Sequence, residues 1–225
     1  MRDQVGPWNW DLSARYGTNT VDYTITGTIN ASMGVNSPTS FKPGSLTQRE
    51  IQFDGEISYE LNDQILLFAG ASHRKETYVI GEGDLASYLT GPLRDLPAGS
   101  NGFQGFSPEF AGSFDSNSYA VFAEVDADIT PWWNLSVAGR YEDYDQFGTN
   151  FSYKAATRFE LSDAFALRGS VSTGFRAPAA GQVFGTSLTS QLDGVGGFIL
   201  DAVLVPGSPA AQVFGSDALT PETSF

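Results

Sequence analysis

Three carboxylates, Glu124, Asp126 and Asp128, alternate along one segment and are the first candidates for chemistry in this sequence. Alternate positions of a β-strand share one face, so the acids would form a row resembling the paired carboxylates of general acid–base catalysis. Such rows also line water-filled interiors and pair with cations on neighbouring strands, and we favour that interpretation. The candidate cations are Arg140, Lys154, Arg158 and Arg168.

His73 is the only histidine, and the chain has no cysteine. A catalytic or metal-binding role would need a second ligand or a partner group, so a solvated position beside Arg74 and Lys75 is favoured. The segment 81–84 (GEGD) lacks the spaced oxygen ligands of a calcium loop. We therefore expect no enzymatic activity, no metal site and no cofactor.

The formal net charge of −14, with only 12 Lys and Arg residues, argues against nucleic-acid binding. A membrane-spanning helix needs about 20 consecutive apolar residues, whereas the longest apolar run is Ile65–Ala71. Residues 1–10 lack the apolar core of a signal peptide. An exported protein would therefore carry its export signal outside this sequence.

Alternation of apolar and polar residues predicts an all-β protein with about eight strands and the start of a ninth. Five of the segments are 8–16, 21–30, 51–61, 65–76 and 117–129, and three more lie within 134–178. The breaks within 134–178 are short, which requires antiparallel neighbours. The expected topology is an up-and-down meander.

The connections between these strands differ in length. Short connections are predicted at 17–20, 61–64, 130–133 and 161–164, and long ones at about 32–48, 77–115 and 176–220. Successive connections of a meander lie at opposite ends, so one end would carry nearly all the loop residues. This asymmetry is typical of transmembrane β-barrels.

Alternation alone also fits a soluble sandwich or barrel with an inward apolar face. Strands of about 10–12 residues, the length that a tilted membrane-spanning strand needs, favour the membrane. Aromatic residues on the apolar face also collect at the strand ends, as in interfacial girdles. Those assigned to the long-loop end are Trp8, Trp10, Tyr141, Phe151, Tyr153 and Phe175. Those assigned to the short-turn end are Tyr16, Tyr23, Tyr59, Phe159 and Phe165.

The opposite face is rich in charge, which suits a wet lumen better than a packed core. The predicted lumen-lining residues are Arg15, Asp54, Glu56, Glu124, Asp126, Arg140, Glu142, Lys154, Arg158, Glu160 and Arg168. Taken together, strand length, girdles and lumen charge favour a membrane barrel over a soluble sheet.

Several segments resemble, in order, the barrel of TonB-dependent outer-membrane receptors. GRYEDYDQFG (139–148), ALRGSVSTGFRAP (166–178) and LTPETSF (219–225) are similar to successive signatures of that barrel. Residues 8–19 and 38–61 resemble its upstream strands. The resemblance covers most of the chain, and GFRAP after a strand is its sharpest part.

The resemblance implies a plugged barrel of about 22 strands that takes up scarce ligands such as ferric siderophores, cobalamin or oligosaccharides. At about 25 residues per strand, a full barrel would need roughly 550 residues. The expected N-terminal plug and TonB-contacting segment do not appear in this sequence. We therefore expect residues 1–225 to be a partial barrel of the outer membrane, in contact with lipid and with TonB only through a missing N-terminal region.

Ligand recognition would use the long loops and the upper lumen, where aromatic and Arg side chains serve as binding anchors. The candidates are Tyr88, Phe103, Phe106, Phe110, Arg74, Arg140 and Arg176. Loop aromatics can equally pack against one another. Arg176, within GFRAP, can equally brace a loop.

Two other interpretations remain open from the residues alone. A self-contained outer-membrane barrel of eight strands would serve as an adhesin or structural protein, and Phe225 fits the aromatic end of such a chain. Pro221 and the internal character of LTPETSF favour truncation instead. A soluble β protein that binds a ligand or partner is the third interpretation.

Overall fold

The computed structural model describes residues 2–192 and 198–225, which contain an antiparallel meander of eight strands. The strands are β1 (Arg2–Val5), β2 (Trp8–Thr26), β3 (Ser40–Asn62), β4 (Ile65–Gly81), β5 (Gly112–Thr130), β6 (Trp133–Tyr144), β7 (Gly148–Ser162) and β8 (Phe165–Ser172). Each strand pairs with the next along the chain, and the sheet curls as half a barrel. The predicted all-β meander is confirmed.

Smaller elements occupy the connections and the C-terminal part. They are a 3-10 helix (Ala31–Asn36), α1 (Leu85–Tyr88), β9 (Gly174–Arg176), α2 (Ala180–Phe184), β10 (Ser187–Leu192), β11 (Phe198–Val203), α3 (Pro209–Val213) and β12 (Glu222–Ser224). Strand β10 pairs with β11, and β12 pairs with β9. Since β9 follows β8 directly, β12 continues the meander and corresponds to the predicted start of a ninth strand.

The predicted turn at 17–20 is wrong. Segment 8–16 and residues 21–26 of the next segment form the single strand β2, in which Gly17 lies opposite Glu50 and Thr20 opposite Thr47. The apolar positions change from even numbers before Tyr16 to odd numbers after Val21, and this change of phase resembles a turn. The main sheet still has eight strands, because β1 adds one at the N-terminal side.

The long connections are shorter than predicted because the strands extend into them. They comprise residues 27–39 and 82–111, since β3 already begins at Ser40 and β4 continues to Gly81. The segment predicted as loop 176–220 contains α2, the β10–β11 pair and α3. Connections at 6–7, 63–64, 131–132 and 163–164 are short and share the other end, so the predicted asymmetry of the two ends is present.

The two faces of the sheet differ as the alternation predicted. The outer face is the one that exposes the apolar side chains Leu12, Phe53, Val121, Val125, Val137 and Leu167. The inner face is less exposed and carries the charged positions, including Arg74, Glu124 and Arg140. No helix within the described residues is both long enough and apolar enough to cross a membrane.

Aromatic residues border the outer apolar face at two levels, and the exposed rings of Tyr16 on β2 and Tyr141 on β6 belong to the level nearer the long connections. At the short-turn end, Trp8 contacts Tyr59 at a ring separation of 4.3 Å and Trp133 stacks on Phe159 at 5.6 Å. Placing Trp8 and Trp10 at the long-loop end was wrong, because β2 begins at the short-turn end. Tyr16 and Tyr23 were also misplaced: Tyr16 lies mid-strand opposite Ile51, and Tyr23 lies near the long connections opposite Gly44.

The continuity of β2 can be tested by cross-linking, since the chain has no native cysteine. Asn19 and Gln48 are directly opposite each other, so Asn19→Cys with Gln48→Cys should oxidise to a disulfide. Asn19→Cys with Asp54→Cys is the control: both face inward, but the second cysteine lies roughly 20 Å farther along β3. Thiol titration after mild oxidation measures closure. If the thiols at positions 19 and 48 both stay free, the result would contradict a continuous β2 and support the turn predicted at 17–20.

Candidate functional site

An apolar cluster covers the inner face at the long-connection end. Tyr78 and Ile80 of β4, Phe106 of loop 82–111 and Ala180 of α2 are buried together. Their flanking partners are Tyr23, Leu46, Phe103, Phe114 and Phe184. Loop 82–111 and α2 therefore fold inward over the upper wall instead of projecting away from it, and together they are called the cap below.

The predicted ligand-binding aromatics take different positions within this cap. Phe106 is 4% exposed, and Phe103 packs between Tyr23, at a ring separation of 5.1 Å, and Phe106, at 5.8 Å. Phe110 is half-buried beside Phe106. These rings form the packing of the cap, and Phe103 and Phe110 retain part of their surface.

Tyr88 lies at the end of α1 and donates a hydrogen bond to Glu82 across 2.6 Å. This hydrogen bond to the carboxylate is the main cause of the raised pKa of Tyr88. The phenol therefore stays protonated at neutral pH. It can donate one hydrogen bond, and Glu82 already accepts it.

Arg74 and Arg140 lie on the inner wall just below the cap. Arg74 is opposite Ser118, which is opposite Tyr144, so the three residues form a row across β4, β5 and β6. Arg74 also lines a small pocket with Tyr144 and residues of α2. Sequence reasoning missed Tyr144, although its phase in GRYEDYDQ matches that of Glu142 on the polar face.

Both arginines are already paired with acids. Arg74 lies 3.6 Å from Glu76, and the Arg140 Nε–Glu142 Oε1 distance is 3.0 Å. Tyr144 donates to the same Glu142 oxygen across 3.2 Å. An anionic ligand would have to compete with these carboxylates for the guanidinium groups, so the wall is a balanced polar surface and not a bare cation site.

The guanidinium of Arg140 also lies against an aromatic ring of the neighbouring strand. Its guanidinium carbon lies 5.9 Å from the centre of Phe122, which is directly opposite on β5. The ring of Phe122 extends over Gly70, where an added Cβ would come within 2.6 Å of it. The absence of a side chain at Gly70 therefore lets Phe122 lie flat along the wall and support Arg140.

Arg176 stands apart from these residues. Its side chain is 74% exposed, and its guanidinium lies 3.9 Å from Glu222 where β9 pairs with β12. This exposed pair contributes little stability. The three predicted arginines therefore divide into two on the inner wall and one at the β9–β12 edge.

The acid row Glu124, Asp126 and Asp128 is bound by neutral donors. Ser136 donates to Glu124 across 2.8 Å, and Asn134 donates to Asp126 at 2.9 Å and to Asp128 at 3.1 Å. This row forms a hydrogen-bonded wall. The structure also shows no group of three or more His, Cys, Asp or Glu side chains that could hold a metal ion within residues 2–192 and 198–225.

Two of the cations expected to pair with this row, Arg140 and Arg158, instead bond acids of their own strands. Arg140 bonds Glu142, and Arg158 contacts Glu160, each two residues away on the same face. Arg158 lies opposite Arg168, and Lys154 is exposed opposite Ala138. Side chains two residues apart share a strand face, which makes the same-strand partner available without a change of register.

His73 lies on the outer face of β4, away from the inner wall. Its ring stacks on Tyr119 at 4.6 Å, and its Nε2 atom is buried with no hydrogen-bond partner. The expected solvated position is therefore wrong for this ring, which packs against its cross-strand neighbour.

Asp145 fastens the turn between β6 and β7 to β5. Its Oδ2 accepts hydrogen bonds from the backbone and side-chain nitrogens of Asn117, both at 2.9 Å. These bonds hold the pKa of Asp145 below its usual range. A lowered pKa in the folded state means that the stabilisation is complete above the unfolded pKa and is lost as the pH falls through the folded one.

We expect Asp145→Asn to destabilise the protein at neutral pH, with a difference from wild type that shrinks below about pH 4. Denaturant midpoints measured at a series of pH values in detergent test this. Asp143→Asn, an exposed carboxylate on the same strand end, is the matched control and should change the midpoint less. Equal midpoints for wild type and Asp145→Asn at pH 7 would contradict the role of Asp145.

Residues 2–225 match the family described as TonB dependent receptor-like, beta-barrel. The fold is similar to the siderophore receptor PirA from Acinetobacter baumannii, with a TM-score of 0.61 at 14% identity, over 99% of this chain and 30% of that one. A double mutant of the ferric enterobactin receptor PfeA from Pseudomonas aeruginosa gives 0.63 at 14%, over 99% and 30%. A PfeA mutant in complex with enterobactin gives 0.60 at 15%, over 84% and 26%. The chain thus spans less than a third of each of these proteins, and at such identities the likeness is one of fold.

Proposed function

Because the chain belongs to the TonB-dependent receptor β-barrel family, we propose that it forms part of the wall and entrance of an outer-membrane receptor that imports a scarce small-molecule ligand. The observation that carries this proposal is the family match over residues 2–225. The family consists of receptors and transporters, not enzymes, and the same is proposed here. Energy would come from TonB, acting through an N-terminal region outside this sequence.

The proposed ligand is a metal chelate of the siderophore class. Similar folds occur in receptors for siderophores and ferric enterobactin, which supports this class over cobalamin or an oligosaccharide. Arg74 and Arg140, each paired with a glutamate, and Tyr144 offer charge-assisted and neutral donors to an anionic chelate. Phe103, Phe110 and Tyr88 would contribute partly exposed rings from the cap, and Arg176 a further cation at the edge.

Ligand binding can be tested on the complete receptor that carries these residues. Ferric enterobactin is the first probe, with cobalamin and a maltooligosaccharide as alternatives, and affinity is measured by calorimetry. We expect Arg74→Ala or Arg140→Ala to weaken binding of the chelate about tenfold or more, since a hydrogen bond to a charged group contributes about 1.5–3 kcal/mol. Arg49→Ala, on the outer face of β3, is the matched control.

Two outcomes separate the ligand class from its site. Binding of cobalamin or the oligosaccharide without any ferric chelate would overturn the siderophore class and leave the receptor family intact. Tight chelate binding that falls equally in Arg49→Ala and Arg140→Ala would reject the inner-wall site. Uptake of the labelled chelate in cells with and without TonB tests the coupling.

We further propose that the outer face contacts lipid of the outer membrane. Val125 lies on that face opposite Leu67 and Val137, and Val137 is midway along β6 between the border rings Trp133 and Tyr141. An arginine at the bilayer midplane of a barrel costs about 2–4 kcal/mol, so Val125→Arg should lower the free energy of unfolding in vesicles by that amount. Ala138→Arg, which faces inward opposite Glu124, is the control and should cost much less. Equal costs for the two variants would contradict a lipid-facing outer surface.

A further inference from the structure

Four polar residues in two separate connections are completely buried. Asn30 and Ser32 belong to loop 27–39, and Ser87 and Ser100 belong to loop 82–111; all four are 0% exposed. Burying an amide or hydroxyl is costly unless it forms hydrogen bonds. The hydrogen-bond partners of these four residues therefore show how the two loops are joined.

The side chain of Asn30 reaches across to the other loop and uses both of its N–H donors there. Its Nδ2 donates to the carbonyl oxygens of Ala86 at 2.9 Å and Leu89 at 2.8 Å. Its Oδ1 accepts from the Ser32 hydroxyl at 2.6 Å. Two carbonyls at the end of α1 thus have a donor from loop 27–39.

Ser32 extends the same contact. While its hydroxyl donates to Asn30, it also accepts from the backbone nitrogen of Gly91 at 2.8 Å. The backbone oxygen of Ser32 accepts from Leu93 at 3.0 Å. Gly91 permits this approach, because a Cβ there would come within 2.7 Å of the Met33 nitrogen.

The contact continues from α1 to the rings of the cap. The backbone oxygen of Ser87 accepts from the nitrogens of Ser100 at 2.8 Å and Gly105 at 2.9 Å. The Ser100 hydroxyl donates to the Phe103 oxygen at 2.5 Å. Phe106 then donates its backbone nitrogen to Pro43 at the start of β3, at 2.8 Å. Hydrogen bonds therefore connect Asn30, through α1, to the backbone of Phe103 and Phe106 and to the sheet.

We propose that loops 27–39 and 82–111 form a single rigid unit, and that Asn30 is the positioning residue that joins them. Phe103 and Phe106 are then held in a preformed arrangement, so the two loops open and close together and not as independent lids. The inference does not depend on the ligand class. Asn30 acts through α1 and Ser87, not by contact with a ligand.

Hydrogen–deuterium exchange of the complete receptor in detergent tests this coupling. Asn30→Ala should raise exchange about tenfold or more across both 27–39 and 86–106. Peptides of β5 to β7 should be unchanged, which separates local loosening from global unfolding. Asn36→Ala, an exposed asparagine of the same loop, is the matched control and should leave 86–106 protected.

Ser32→Ala provides the second test, should Asn30→Ala fail to fold. It keeps the two bonds from Asn30 to Ala86 and Leu89 but removes the acceptor of Gly91, so its increase should centre on 89–93. Faster exchange in loop 27–39 alone, for either variant, would show independent loops and overturn the proposal. Increased exchange in 86–106 with Asn36→Ala would also overturn the assignment to Asn30.

Discussion

Continuous backbone hydrogen bonding from β2 to β8 is the constraint on which the rest of this structure depends. Because side chains alternate strictly along a strand, a slip of one residue would exchange the two faces of the sheet. The placement of Arg74, Tyr144 and Arg140 on one wall therefore follows from the register. The same register keeps the outer face apolar. Short turns at one end preserve it from strand to strand.

Where the ladder ends, the long connections must supply their own hydrogen-bond partners and their own apolar contacts. Loop 82–111 does both, since Phe106 joins a buried cluster and Ser87 accepts bonds from two backbone nitrogens. Loop 27–39 is too short to build a core, and it takes its partners from its neighbour through Asn30. The conformation of the two loops thus depends on buried polar groups as much as on aromatic packing. In the sheet below them, the side chains need only alternate between the apolar and the polar face.

The sequence was sufficient for the sheet wherever one face stays apolar for the full length of a strand, as in 117–129 and 134–178. It failed at β2, because Thr18 and Thr20 face outward above the apolar zone while Val21 and Tyr23 face inward, Tyr23 against the cap. The alternation persists there, but its phase is inverted. Although Leu66 and Phe68 share the phase of Arg74 and left its face open, Arg140 could be assigned to the wall from alternation alone. The burial of Phe106 and Asn30 could not, since residues 27–39 and 82–111 have no period to follow.

The two aromatic borders of the outer face also give the tilt of the strands from the normal of the membrane plane that the borders would follow. Following the paired residues from β2 to β6, Tyr141 lies in the row of Leu12, four positions below Tyr16, and Trp133 lies four positions below Val137, which shares the row of Trp8. Both borders therefore descend by the same amount over four strand spacings. With a rise of about 3.3 Å per residue and a spacing of about 4.8 Å between strands, that slope is a tilt of about 35°. The stagger is about one residue per strand, as in a sheared barrel. Two separate sets of aromatic residues thus show barrel geometry in a sheet that does not itself close.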